Sequence, residues 1–184
     1  MAAEEFSSLL KADLLRLQAP TDIAKRRLWR TALNPRFYPV LILRLSRACF
    51  LKPWLRPFAP LMTWLNVLWF GIECTPRCEI GGGLMLPHTS GTVIGASKIG
   101  RNATIFQGVT LGARDADFGF DLNQRPVLSD DVVIGAGAKV LGHLLVGRGA
   151  QIGANAVVLE SVDADCVAVG IPARVIKRAG MKVQ

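Results

Sequence analysis

Two hydrophobic rhythms divide the chain. Near the start, Leu9, Leu10, Leu14, Leu15 and Leu17 recur at helical spacing until Pro20, which predicts helix within residues 1–33. The stretch from Phe37 to Phe70 is more continuously apolar, yet Arg44, Arg47, Lys52 and Arg56 interrupt it and Pro53, Pro57 and Pro60 break it. Its uninterrupted run, Leu61–Phe70, is about half the roughly 20 residues a membrane span needs. Trp54, Trp64 and Trp69 beside basic residues suit a helix lying in a membrane interface. They suit equally aromatics packed against the rest of the protein.

From Ile72 onward the rhythm changes to six. With the register set on Val93, aliphatic residues follow at Ile99, Ile105 and Leu111. The series resumes at Leu128, Ile134, Val140, Val146, Ile152 and Val158. The next residue is often glycine (Gly100, Gly112, Gly135, Gly147, Gly153). Four places after the aliphatic stands a small or branched residue such as Ala103, Ala138, Ala150 or Ala156, and Ser97 in the first hexad; Leu144 is the exception. A helix with 3.6 residues per turn smears a six-residue period around its axis. Short strands and tight turns hold it. Three hexads then close one triangular coil, coils stack as a solenoid, and glycine at the corners allows the turn dihedrals.

Composition narrows the class. The chain has 184 residues, of which 51% are hydrophobic and 20% charged, so it can bury a core and is neither disordered nor collagen-like. The net charge of +8 is lopsided: residues 1–57 carry 11 Lys/Arg against 4 Asp/Glu, and the remainder is nearly neutral. A basic first third points to a surface, partner or anionic ligand met by that part alone. Zinc-finger spacing and a recognition-helix signature are absent, so nucleic acid is not an expected partner. Four cysteines without framework spacing, and a start lacking signal-peptide sections, lead to the expectation of reduced thiols in the cytoplasm. Cys74 and Cys78 have no second half-site, and no metal is expected.

The stretches GIECTPRCEIGGGLMLPHTSGTVIG, IFQGVTLG, VVIGAGAKVLG, VGRGAQIGANAVVL and VGIPARVI resemble the hexapeptide-repeat acyltransferases, and within them the serine acetyltransferases. The resemblance implies a mainly β protein: a left-handed parallel β-helix over residues 71–176, preceded by an N-terminal helical segment, 1–70, and followed by a tail, 177–184. It also implies a homotrimer with acetyl-coenzyme A (acetyl-CoA) as donor and active sites between subunits.

His88 stands in Leu86-Pro87-His88-Thr89-Ser90-Gly91, where the six-residue register slips. A slip bulges the chain and re-aims side chains. Moving acetyl to a hydroxyl needs a base, and imidazole titrates in the useful range. By the resemblance His88 is that base and Glu73, one coil earlier, its orienting carboxylate. His143 has no implied role. Two histidines are too few for the three zinc-bound imidazoles of the similar β-helical carbonic anhydrases.

Between Leu111 and Leu128 the hexads stop, which predicts an outward loop. The family closes this loop with Arg-His-Pro, whose histidine helps hold the substrate carboxylate. Here Gln124-Arg125-Pro126 makes Gln124 and Arg125 the candidate acceptor contacts. The family's aspartate for the serine ammonium is Pro87 here. On the donor side Ala113, Ala136 and Ala154 match positions beside the pantetheine arm, and Lys139, Lys177 and Arg178 are candidates for the nucleotide phosphates. The expected activity is O-acetyl transfer to a hydroxyl of a sugar or exopolysaccharide precursor, with peripheral membrane contact through residues 37–70. The alternatives are serine O-acetylation in cysteine biosynthesis and an inactive β-helical binding trimer.

Overall fold

The computed structural model describes residues 5–18, 31–117, 119–178 and 181–182. Helices α1 (Phe6–Arg16), α2 (Phe37–Leu51) and α3 (Ala59–Phe70) come first, with a 3-10 turn at Arg56–Phe58. Of the stretch expected to be helical up to residue 33, positions 19–30 lie outside the described residues. Gly71 ends α3 in the left-handed conformation, φ 63°, and its N–H donates to the Val67 carbonyl.

The chain then winds. The first coil carries β1 (Ile72–Cys74) and β2 (Glu79–Ile80), with Met85 bridging on the third side. The second carries β3 (Thr92–Ile94), β4 (Lys98–Ile99) and β5 (Thr104–Ile105). The third has β6 (Thr110–Gly112), the outward loop, β7 (Val127–Leu128) and β8 (Val133–Ile134). The fourth has β9 (Lys139–Leu141), β10 (Leu145–Val146) and β11 (Gln151–Ile152). In the fifth are β12 (Val157–Val158), a bridge at Val162 and β13 (Cys166–Val169). Finally β14 (Arg174–Arg178) and β15 (Met181–Lys182) turn antiparallel onto β13.

Like strands of successive coils pair in parallel, giving three sheets ordered β1-β3-β6-β9-β12, β2-β4-β7-β10 and β5-β8-β11-β13. Lys139 opposite Val157 and Val127 opposite Leu145 set the regular coil at 18 residues. Ile99, Ile105, Leu111, Leu128, Ile134, Val140, Val146, Ile152 and Val158 are all buried along the axis, as the hexads require.

The structure departs from the sequence pattern in two details. In β3 the inward residue is Ile94, not Val93, and Ala96 rather than Ser97 fills the small position. Strand side chains alternate with period 2, so one residue of slip moves Val93 to the outer side. Secondly, the glycines after the inward aliphatics do not adopt the left-handed backbone. Gly100 and Gly135 are required for closeness: a Cβ on Gly135 would lie 2.6 Å from the backbone nitrogen of Ala154 on the next coil. The left-handed corner positions fall elsewhere, partly on asparagine and aspartate: Asn102, Asp131, Asn155 and Asp165 have φ of 56–60°.

A buried ion pair joins the helices to the first coil. Asp13 of α1 is the only wholly buried residue of that helix; its carboxylate accepts from Arg44 Nε at 2.9 Å and from the backbone N–H groups of Gly83 and Leu84 at 2.8 and 3.0 Å. Arg44 of α2 also donates to the carbonyls of Ile80 and Gly81, and Arg47 to those of Pro76 and Arg77. Part of the basic excess is therefore spent inside the fold. Trp54, Trp64 and Trp69 are 73%, 58% and 65% exposed, so packing within one chain is not their role. Among the described residues no helix is long and apolar enough to cross a membrane.

Candidate active site

His88 sits where the first coil turns into the second. Leu86 points into the core, and Pro87, His88, Thr89 and Ser90 then bulge outward before Thr92 rejoins β3. The bulge is tied down on both sides. The N–H of Thr92 donates to the Thr89 carbonyl at 3.1 Å, that of Gly91 to Gly71 at 2.9 Å, and that of Gly108 to Ser90 at 3.0 Å. Gly91, with φ 70°, makes the turn. The imidazole is thus exposed on an anchored loop. It lines a cavity of about 330 Å³ between the bulge and the helices, walled by Pro87, His88, Thr89 and Ser90 of the bulge and by Arg36, Pro39 and Phe70 of the helical segment.

Glu73 lies in β1, opposite Val93 of the next coil, with its side chain on the outer surface between buried Ile72 and Cys74. Among the described residues no hydrogen bond joins it to His88. The two occupy the same end of the coil stack, since the Gly71 carbonyl accepts from Gly91 just beyond the histidine bulge.

Arg125 is held, not free. It ends the outward loop 8% exposed; its Nη2 and Nε donate to Asp117 Oδ2 at 2.8 and 3.2 Å and its Nη1 to the Gly95 carbonyl at 3.0 Å. The Phe120 ring covers the guanidinium at 3.7 Å. Burial alone would raise the Asp117 carboxyl, but the hydrogen bonds from Arg125 and from the backbone of Asp121 outweigh it and hold the group below the ordinary carboxylate range. Gln124 is exposed and donates to Asp121 Oδ2 at 3.2 Å. In this arrangement Asp117 already occupies the Nε–Nη2 edge that an acceptor carboxylate would bind bidentately.

The donor-side residues divide between two corners. Ala136 and Ala154 stack on successive coils, with the Asn155 N–H donating to the Ala136 carbonyl at 2.8 Å. They precede β9 and β12, whereas Ala113 follows β6 at the opposite edge of the same sheet. Lys139 Nζ donates to the Gly108 carbonyl at 2.6 Å. Lys177 is exposed on β14; the side chain of Arg178 lies outside the described residues. His143 is exposed.

Among the described residues no group of three or more His, Cys, Asp or Glu is gathered as metal ligands would be. Cys74 and Cys78 are buried, which pushes the Cys74 thiol up to about 12 and the Cys78 thiol well above its ordinary value. Both stay protonated at neutral pH, so neither is poised as a thiolate nucleophile.

Sequence reasoning missed Arg36 beside His88, Asp117 beneath Arg125, and the Asp13–Arg44 pair. Each is a contact between segments with no local motif to announce it.

No family model matches the chain. Among curated relatives, the serine acetyltransferase of Synechococcus elongatus is 44% identical over 124 residues, covering 67% of this chain and 50% of its own. The chain spans about half to three-fifths of the length of the curated relatives it matches. Among solved structures, a Brucella abortus serine acetyltransferase in complex with coenzyme A superposes with a TM-score of 0.79 at 30% identity, covering 97% of this chain and 70% of that one. A Neisseria gonorrhoeae serine acetyltransferase in complex with serine gives 0.78 at 28% identity, over 94% and 69%. The similarity takes in the helices as well as the coils, and the coil is the left-handed parallel β-helix of these structures.

Proposed function

Because the chain belongs to the serine acetyltransferase family, we propose that it transfers acetyl from acetyl-CoA to the hydroxyl of serine. The carrying observation is His88, exposed on an anchored bulge and lining a cavity of small-molecule size. Serine takes the place of the sugar acceptor expected from the sequence, since the relatives bear the serine acetyltransferase name and nothing in the comparisons favours a glycan.

In this reading the acceptor hydroxyl gives its proton to a nitrogen of His88 as its oxygen attacks the thioester carbon. The new C–O bond forms, the tetrahedral centre collapses, the C–S bond breaks, and the proton passes from the imidazolium to the departing sulfur. Products are the O-acetyl ester and coenzyme A. Glu73 turns toward His88 in the working assembly, fixing its tautomer and stabilising the imidazolium. Ala136 and Ala154 leave a corner without bulky side chains against which a pantetheine arm lies, with Lys139 and Lys177 near its charged end. Proximity of the two bound substrates supplies much of the acceleration.

The assembly proposed is a homotrimer whose clefts complete the site, as is typical of this family. The exposed tryptophans of α3 and its preceding turn, with Lys52 and Arg56 beside them, keep peripheral contact with an anionic membrane as part of the proposal. Serine-dependent release of coenzyme A thiol tests the reaction. A preference for sugars over serine, or no transfer to any acceptor, would overturn the serine assignment.

A further inference from the structure

Two arginines are candidates for the acceptor side of the site, and the structure separates them. Arg125 is buried and its guanidinium donates to Asp117 and Gly95. Arg36, at the start of α2, is exposed and lines the same cavity as His88. Its Nε donates to the Pro87 carbonyl at 3.2 Å, so the guanidinium is pinned at one edge to the residue before His88. Among the described residues its two terminal nitrogens have no hydrogen-bond partner and no carboxylate pairs with it. Among the described residues the cavity wall has no acidic side chain. Beside the imidazole it offers the hydroxyl-bearing residues Thr89 and Ser90.

We propose that Arg36 determines acceptor specificity, binding through its two terminal nitrogens an oxyanion carried by the hydroxyl compound that His88 deprotonates. This rests on the acetyl-transfer reading above and names the group that the acceptor must bear: a carboxylate, as in serine, or a phosphate, as in a sugar phosphate. Arginine presents parallel N–H groups that match either oxyanion in bidentate fashion. The bond to Pro87 sets the guanidinium in place before substrate arrives and couples it to the histidine bulge. The N-terminal helical segment thereby contributes to the site itself.

The test compares acetyl transfer to matched pairs, serine against serinamide and glucose 1-phosphate against glucose, in the parent protein, Arg36→Gln and Arg36→Lys. The parent is expected to favour the charged member of one pair. Arg36→Gln is expected to lower kcat/KM for that member about 10- to 150-fold, through KM, while kcat and use of the neutral member stay within about twofold. Arg36→Lys should restore part of the preference. The responding pair identifies carboxylate or phosphate. Equilibrium titration with the same four compounds reads the site without turnover. Selective binding of a charged member that Arg36→Gln abolishes, with no turnover in any variant, sinks the transfer reading and keeps the oxyanion site. Turnover with unchanged charge preference in Arg36→Gln, or equal binding of charged and neutral members by the parent, overturns the proposal for Arg36.

Discussion

Asp13 and Arg44 meet in a buried two-point ion pair, with Arg44 Nε to Asp13 Oδ2 at 2.9 Å and Nη2 to Oδ1 at 3.0 Å, sealed between α1, α2 and the first coil. Four further hydrogen bonds tie the pair to backbone groups of Ile80, Gly81, Gly83 and Leu84. The pair holds the helical segment in one orientation on the coils. Asp13→Asn should leave a buried guanidinium with a neutral partner and destabilise the fold by about 3–5 kcal/mol. Thermal denaturation should show a clear loss of Tm. Equal Tm values for the parent and Asp13→Asn would contradict this account.

His88→Ala should reduce turnover by about 10²- to 10⁴-fold with acetyl-CoA binding nearly unchanged. Glu73→Gln should cost less, because orientation is only part of what makes the base effective. Steady-state kinetics beside equilibrium binding of coenzyme A separates the two effects, and unchanged turnover in His88→Ala removes the proposed base.

Pro87 bears on how well serine would serve in the proposed reaction. An ammonium bound without a partner is costly, and proline provides neither a charge nor a side-chain hydrogen bond. Pro87→Asp should raise kcat/KM for serine by about 10- to 150-fold, the worth of one charge-assisted hydrogen bond of roughly 1.5–3 kcal/mol. No gain means that the ammonium is already held elsewhere in the assembly.

The Asp117–Arg125 clasp makes the outward loop sensitive to acid. The folded carboxyl titrates below its unfolded value of about 3.9, so its contribution is complete above that pH and is lost as pH falls through the depressed folded value. Loop protection measured by limited proteolysis should therefore persist to lower pH than for an ordinary carboxylate and then fail. Asp117→Asn should show weaker protection and no such acid step.

Cosedimentation with vesicles reads the exposed tryptophan face. Anionic vesicles should retain the protein at low salt and release it as salt rises, and Trp64→Ser with Trp69→Ser should weaken retention. Absence of binding at low salt, with these residues buried in the trimer, would assign the face to subunit contact.

The six-residue period from Ile99 to Val158 by itself determined that the second part of the chain coils, because only short strands and tight corners keep such a period on one side. The break at His88 and the interruption after Leu111 were legible for the same reason: each is a departure from a strict count. Where the count slipped by one, at Val93 and Ile94, no sequence signal told which aliphatic faces inward; pairing with Thr110 and Leu111 of the next coil decided it. The reason for the glycines lay equally in the third dimension, since the backbone of the next coil occupies the space a Cβ would take. Helical spacing drew attention to the leucines of α1, yet its wholly buried residue is Asp13, whose partner stands 31 positions away. Arg36 meets Pro87 across 51 residues, and Arg125 meets Gly95 across 30. A local pattern records which way each segment turns its own side chains. Whether a charge ends against a carboxylate, a carbonyl or an open cavity depends on what another segment brings to it, and only the folded chain decides that.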